Sequence, residues 1–264
     1  MVMPPFSIDD GRAVGPSYGL VLTRGARDAV LESLSVARFS GWVSPAPTGE
    51  EPWTVAVAED PLGHVASERR TLSELARDLA RDLAPGSGSP DDASPEHVPD
   101  GERESAETLA PEGASGRPEV ICAVVRAETL LTIAAFDGEQ QLVDYLSDAH
   151  AARPGDEFAW GPEGAHGGRA LARLSGRPDA GEDAVELLGE ELGESENESE
   201  RIMALARLLG WPEWLVAVVG LPKRVAGGPP VEDWQRLRAG RSGLTGRLAA
   251  RAARTVRRRD LTES

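Results

Sequence analysis

The sequence predicts an α+β fold: a small mixed or antiparallel sheet with helices on one face, followed by a helical C-terminal region and a basic tail. Two apolar runs, VICAVVR at 120–126 and LLTIAAF at 130–136, are separated by three residues, which is typical of an antiparallel hairpin. A Thr-x-x-Glu capping box at 71–74 indicates the start of a helix before them. Apolar residues then recur at helical spacing through 168–219, so the later part of the chain is predicted to be helical.

The same patterns predict the individual elements of the first half. The predicted strands are 19–23, 53–58, 120–126 and 130–136. The predicted helices are 26–36, 72–83 and 140–146, and we expect them to cover one face of the sheet. Asp137 and Gly138 are expected to turn the chain from the last strand into the helix at 140–146.

The chain divides into three parts by composition. Residues 1–152 are predicted to form an α/β domain, interrupted at about 86–118 by an acidic, Ser-, Pro- and Gly-rich insertion. This insertion has almost no large apolar side chain to offset its ordering entropy, so we expect it to be disordered. Residues 153–222 are predicted to be a helical region, and 223–264 an Arg-rich tail that is partly disordered or forms one helix.

The helical region shows clear boundaries. Its predicted helices are 168–175, 180–192 and 200–209. Ser199 is the predicted N-cap of the last of these, and Gly210 follows it where a helix commonly ends. Pro212 is expected to begin a further helix.

The net charge and the cysteine content of the chain exclude some classes of protein. The net charge of −16 repels nucleic acid and anionic membranes on average. The single cysteine, Cys122, excludes an intramolecular disulfide, and its apolar neighbours predict a buried, unreactive thiol. The N-terminus has no readable signal peptide and no apolar run is long enough to span a bilayer, so we expect a cytoplasmic protein. The Arg-for-Lys bias is typical of a GC-rich bacterium.

Motifs for the common catalytic and cofactor chemistries do not occur. GxxxxGK[ST], GxSxG, HExxH, and GxGxxG after a strand are all missing, so no cofactor and no catalytic residue is assigned. His150 and His166 flank a Gly-rich loop that also holds Asp148 and Asp156, which makes them weak metal-ligand candidates. The favoured interpretation is two exposed loop histidines.

Charge segregation supplies the candidate partner-binding residues. Residues 179–200 are strongly acidic, whereas the tail carries arginines at helical spacing: Arg247, Arg251, Arg254 and Arg258. These arginines have four interpretations: docking on the acidic stretch, binding an acidic partner, contacting nucleic acid or an anionic membrane, or a plain solubilising tail.

The tryptophans at 211 and 214 are the other candidates for partner binding. Trp211 and Trp214 lie three residues apart at a helix start and therefore share a face. Core packing is the favoured interpretation. An exposed pair would instead be a binding hot spot.

Two stretches together resemble a loose set of uncharacterised bacterial α/β proteins. FDGE at 136–139 with LVDYLSD at 142–148 resembles a "dG…lvdxYxSd" signature, and LLGWPEW at 208–214 resembles an "LLGxPxW" signature. Ala149 stands where that set usually has Pro. The resemblance implies an N-terminal α/β part and a helical end. It implies no activity and no site.

These observations favour a non-enzymatic protein-interaction module, such as an adaptor, a chaperone-like protein or an immunity-type binder, with a protein partner. The alternative is a metal- or carboxylate-dependent hydrolase that uses the loop at 148–166. A weaker alternative is nucleic-acid contact through the Arg-rich tail.

Overall fold

The computed structural model of the chain describes residues 15–49, 52–60, 70–84, 119–191 and 197–238. The strands in these ranges are β1 (Tyr18–Thr23), β2 (Gly41–Val43), β3 (Thr54–Ala58), β4 (Glu119–Arg126), β5 (Leu130–Asp137), β6 (Gln140–Leu146) and β7 (Gln235–Leu237). The α-helices are α1 (Arg27–Val36), α2 (Leu72–Asp82), α3 (Ala149–Ala152), α4 (Gly168–Leu174), α5 (Gly181–Gly189) and α6 (Glu198–Leu209). Short 3-10 helices lie at Ala165–Gly167, Pro178–Ala180, Leu215–Gly220 and Val231–Asp233.

The strands form one antiparallel sheet in the order β6-β5-β4-β1-β3-β2-β7. At its centre β1 pairs with β4, and Leu20 lies opposite Ala123. Strands β4, β5 and β6 follow one another as hairpins, whereas β7 is added to the far edge beside β2. The α+β fold predicted from the sequence is confirmed.

Each face of the sheet has its own hydrophobic core. Along β4, Ile121, Ala123 and Val125 belong to one core, and the alternate residues Val120, Cys122 and Val124 belong to the other. Successive side chains of a strand point to opposite faces. Burial on both sides therefore explains why the central strands are continuous apolar runs rather than alternating ones.

The first face is covered by α1 and α2, as the sequence predicts. Leu34, Leu75 and Leu79 pack there against the sheet core that includes Cys122 and Phe136. The predicted capping box is also confirmed: Thr71 Oγ1 accepts from Glu74 N at 3.2 Å, and Glu74 Oε2 accepts from Thr71 N at 2.7 Å.

The opposite face is covered by the C-terminal helical region. Leu171, Leu188, Ile202, Leu205 and Leu209, from α4, α5 and α6, pack in one core with the sheet. The helical region therefore extends the same fold, with the sheet lying between two helical layers.

The predicted helix at 140–146 is wrong, because these residues form the edge strand β6. Asp137 pairs with Gln140, so a two-residue turn joins β5 to β6. Gly138 takes the first turn position with a φ of 57°, a conformation that favours glycine. Val143 and Tyr145 are buried while Asp144 is exposed, an alternation typical of a strand.

Other boundaries also differ from the sequence prediction. Asn197, not Ser199, is the N-cap of α6, because Asn197 Oδ1 accepts from Glu200 N at 3.0 Å. The segment after Pro212 is a 3-10 helix, Leu215–Gly220, and not an α-helix. Strand β7 lies within the stretch predicted as a tail, and its three residues are too few to give a strand pattern. The insertion predicted at 86–118 lies outside the described residues.

The predicted antiparallel β4–β5 hairpin is confirmed. Its turn contains two residues with strained backbone conformations. Ala127 and Glu128 have φ values of 50° and 60°, in the left-handed region that disfavours side chains with a Cβ. We expect Ala127→Gly to raise the free energy of unfolding by about 1 kcal/mol, measured by urea denaturation. Ala37→Gly, at a φ of −67°, is the control and is expected to act in the opposite direction. A destabilising Ala127→Gly would contradict the expectation.

No helix within the described residues is long and apolar enough to cross a membrane.

Candidate functional site

The segment between β6 and α4, here called the aromatic loop (residues 147–164), is held against the sheet by main-chain hydrogen bonds. Leu146 and Glu163 exchange two N–H···O bonds of 3.0 and 2.8 Å, and Ala149 N donates to Gly161 O at 3.0 Å. Asp148 caps the short helix α3 by accepting from Ala151 N at 2.9 Å. The loop therefore has a defined conformation although most of its side chains are exposed.

Two aromatic side chains project from this loop. Phe158 is 94% exposed and Trp160 is 73% exposed. Trp160 stacks on His150 with a ring-centroid distance of 5.3 Å, and its Nε1 donates to Glu157 O at 2.9 Å. Asp156 Oδ1 accepts from Phe158 N at 3.0 Å. The backbone of Phe158 and the indole of Trp160 are thus fixed without being buried.

Exposed carboxylates lie in the aromatic loop and at the end of α5. Asp156 and Glu157 precede them in the loop, and Glu190 and Glu191 follow α5. An added Cβ at Gly161 would lie 3.3 Å from Glu191 Oε1, so the end of α5 adjoins the loop beside Trp160. We call Phe158, Trp160 and these four acidic residues the aromatic-acidic surface.

A buried polar cluster centred on Arg201 lies beneath the acidic part of this surface. Arg201 is 4% exposed and closes the C-terminal end of α5. Its Nη1 donates to Leu187 O at 3.1 Å and to Tyr145 Oη at 2.7 Å, and its Nη2 donates to Glu190 O at 2.7 Å. Arg201 therefore satisfies carbonyls that a helix end leaves free and fixes the main chain of Glu190.

Glu198 is the acidic member of the cluster. Its carboxylate is 1% exposed, and Glu198 Oε2 lies 3.2 Å from Arg201 Nε. Burial raises the pKa of Glu198, against the opposing effects of a hydrogen bond with Ser147 and of the Arg201 charge. Tyr18, from β1, also belongs to the cluster, because its Oη donates to Ser199 Oγ at 3.2 Å beside Glu198. Burial likewise raises the pKa of Tyr18, to about 12, and the pKa of Tyr145. The cluster joins α5 and α6 to the sheet; its members are buried and present no exposed reacting group.

Trp211 and Trp214, the tryptophans predicted as partner-binding candidates, are both buried. Trp211 Nε1 donates to Ser175 Oγ at 2.8 Å, and Trp214 packs edge-on against Trp234 at 5.5 Å. This placement agrees with the core-packing interpretation and leaves neither ring exposed to a partner.

The histidines at 150 and 166 are exposed, as the favoured interpretation expects. His150 stacks on Trp160, and His166 lies in the 3-10 helix before α4. Among the described residues, no group of three or more His, Cys, Asp or Glu side chains is placed to hold a metal ion.

The other predicted features fall in different places. Arg247, Arg251, Arg254 and Arg258 lie outside the described residues. Cys122 is buried in β4, and burial raises the pKa of its thiol to about 12, in agreement with the predicted unreactive thiol. In the acidic stretch, Glu182 is held by Arg169 at 2.6 Å and Glu198 is buried, so only part of this stretch is a free acidic surface.

Neither Phe158 nor the Arg201 cluster is predicted from the sequence. The available signal for the first was FAW inside the Gly-, Pro- and acid-rich run PGDEFAWGPEG, where aromatic residues have few apolar neighbours to pack against. For the cluster there was no local signal, because Tyr18, Tyr145 and Arg201 are far apart in the chain.

In comparisons with known proteins, no protein-family model, no curated protein and no solved structure matches this chain.

Proposed function

We propose that the chain is a non-enzymatic protein-interaction module and that Phe158 and Trp160 are the centre of its contact surface. The observation that carries the proposal is the exposure of these two aromatic side chains, 94% and 73%, on a loop with a defined conformation. Large aromatic residues dominate the binding energy of many protein interfaces. An adaptor, a chaperone-like protein or an immunity-type binder, the functions expected from the sequence, each require a surface that binds another protein.

The order of the loop also supports binding. Because Trp160 is already stacked on His150 and hydrogen-bonded to Glu157, its side chain loses little conformational freedom when a partner docks. Val36 and Val219 are also exposed, but each is a single aliphatic side chain, which is ordinary on a protein surface. They serve as matched controls.

Single substitutions at the two rings test the proposal. We expect Phe158→Ala and Trp160→Ala each to weaken a stoichiometric protein partner by at least about 30-fold, as loss of a hot spot does. Tagged full-length chains would be purified from lysate of the native organism and compared by mass spectrometry. The affinity of the captured partner would then be measured by calorimetry.

Val36→Ala and Val219→Ala should bind that partner as the unsubstituted chain does. Equal capture by all four variants would place the contact elsewhere. A chain that recovers no stoichiometric partner and is monomeric by light scattering would contradict the proposal. Phe158→Ala is the cleaner variant, because the Phe158 side chain is 94% exposed, whereas Trp160 stacks on His150 and donates to Glu157 O.

A further inference from the structure

The segments that carry the aromatic-acidic surface are predominantly negatively charged. Asp156, Glu157, Glu190 and Glu191 are exposed carboxylates. Arg153, the one arginine between 147 and 164, is paired with Glu163, and no basic residue occurs between 181 and 191. His150, the other basic residue of the loop, stacks on one face of Trp160. Acidic residues therefore outnumber basic ones in the two described segments that carry Phe158, Trp160 and these carboxylates.

Aromatic rings beside carboxylates form a recognition site for organic cations. The face of an indole attracts guanidinium and ammonium groups, and carboxylates form charge-assisted hydrogen bonds with them. Exposed acidic groups also accelerate the encounter with a positively charged partner. An apolar or acidic partner would leave these carboxylates unpaired at its edge.

We propose that the aromatic-acidic surface binds an arginine- or lysine-rich segment of another protein. This inference rests on the proposed function, since it names the chemical class of the partner for the same surface. Phe158 and Trp160 would pack against the aliphatic stems and cationic groups of the segment, and the four carboxylates would pair with its charges.

The chain has its own Arg-rich segment, which is a competing occupant of the surface. Strand β7, which precedes it, lies at the opposite edge of the sheet from β6, six strand spacings away. At roughly 4.8 Å each, that is about 29 Å. Residues 239–246 bridge about the same distance only when fully extended, so Arg247 would reach no further than the edge at β6, whereas Arg251, Arg254 and Arg258 could reach beyond it. The affinity measurements must therefore distinguish the chain's own segment from that of another protein.

A fluorescent nona-arginine peptide is a suitable probe, titrated into the full-length chain and followed by anisotropy. We expect binding that weakens steeply as salt rises. A triple variant should bind the peptide about tenfold more weakly, because it loses three exposed ion pairs. Its substitutions are Glu157→Gln, Glu190→Gln and Glu191→Gln. Phe158→Ala should weaken binding of the peptide as well.

The matched control neutralises three exposed carboxylates elsewhere: Glu32→Gln, Glu139→Gln and Glu213→Gln. It has the same net charge as the first triple variant and should keep nearly full affinity for the probe. Equal losses in the two triple variants would mean only general attraction to an acidic chain and would overturn the inference, as would absence of binding.

A second arm concerns the chain's own segment. Neutralising Arg247, Arg251, Arg254 and Arg258 to Gln in the full-length chain should leave the affinity for the probe unchanged. A tenfold gain would show that this segment, from the same or a second copy, already occupies the surface, and would overturn the assignment to another protein.

Failure of this inference and failure of the proposed function give different results. If Phe158→Ala loses the captured partner while the Glu157, Glu190, Glu191 triple variant retains it, the surface binds a partner that is not cationic. If both variants retain the partner, the proposed function itself fails at this surface.

Discussion

Replacing Arg201 with methionine is expected to lower the free energy of unfolding by about 3–5 kcal/mol at pH 7. The substitution removes the positive charge 3.2 Å from Glu198 and leaves that carboxylate buried without its counter-charge. It also removes the donors to Leu187 O and Glu190 O at the end of α5. Methionine fills most of the volume, so the loss reports on polar groups rather than on a cavity.

The same variant should show a characteristic pH dependence. Burial already raises the pKa of Glu198 above its ordinary value of 4.5, and loss of Arg201 removes one opposing influence and raises it further. A carboxyl group with a raised folded-state pKa carries no penalty below its unfolded-state pKa, where it is protonated in both states. The penalty grows as pH rises toward the folded-state pKa. Destabilisation by Arg201→Met should therefore be smaller at pH 4 than at pH 7.

Urea denaturation of the two chains at both pH values measures this difference. Arg207→Met is the matched control, because Arg207 lies on the same helix but is exposed, and it should change stability by less than about 0.5 kcal/mol at either pH. Equal effects of the two substitutions, or a larger effect of Arg201→Met at pH 4, would contradict a buried ion pair as the stabilising element.

The elements that the sequence predicts correctly are those specified by neighbouring residues. The capping box of α2 predicts the start of that helix. Two apolar runs joined by three residues predict the β4–β5 hairpin. Burial of Cys122 follows from the apolar residues beside it in the strand. In each case the deciding interactions lie within about ten residues, so a local pattern suffices.

The sequence prediction fails where the apolar residues of a segment fit both a helix and a strand. It also fails where a strand pairs with a segment that is remote in the chain. Leu142, Val143, Tyr145 and Leu146 fit a helical face, but pairing with β5 makes 140–146 a strand. The Asp-Gly pair at 137–138, flanked by apolar runs, was the available hairpin signal. Strands β2 and β7 are three residues each, and β7 is held in the sheet by pairing with β2, which is remote in the chain.

The candidate site was only partly accessible from the sequence. The loop at 148–166 and the acidic stretch at 179–200 were both singled out, but as separate features. The two stretches adjoin at Gly161 and Glu191, and Arg201, which lies outside both, links the end of α5 to Tyr145 in the edge strand through hydrogen bonds. The polar run around Phe158 is a local signal that its ring has few apolar neighbours, but its exposure also requires that no remote element packs over it.

Replacing Gly164 with alanine is expected to have the second large effect, about 2–4 kcal/mol of lost stability. Gly164 has a φ of 77°, and a Cβ there would lie 2.0 Å from Asp144 O, which is main chain and cannot rotate away. The segment must move off β6, and the two hydrogen bonds between Leu146 and Glu163 are then lost. Because these bonds close the aromatic loop, binding of the captured partner should fall even at temperatures where the chain remains folded.

Gly220→Ala is the control: an added Cβ there meets no atom within 4 Å, so stability and binding should both be retained. Loss of stability in Gly164→Ala with partner binding intact would show that the loop's attachment to β6 supports the fold but does not shape the aromatic-acidic surface.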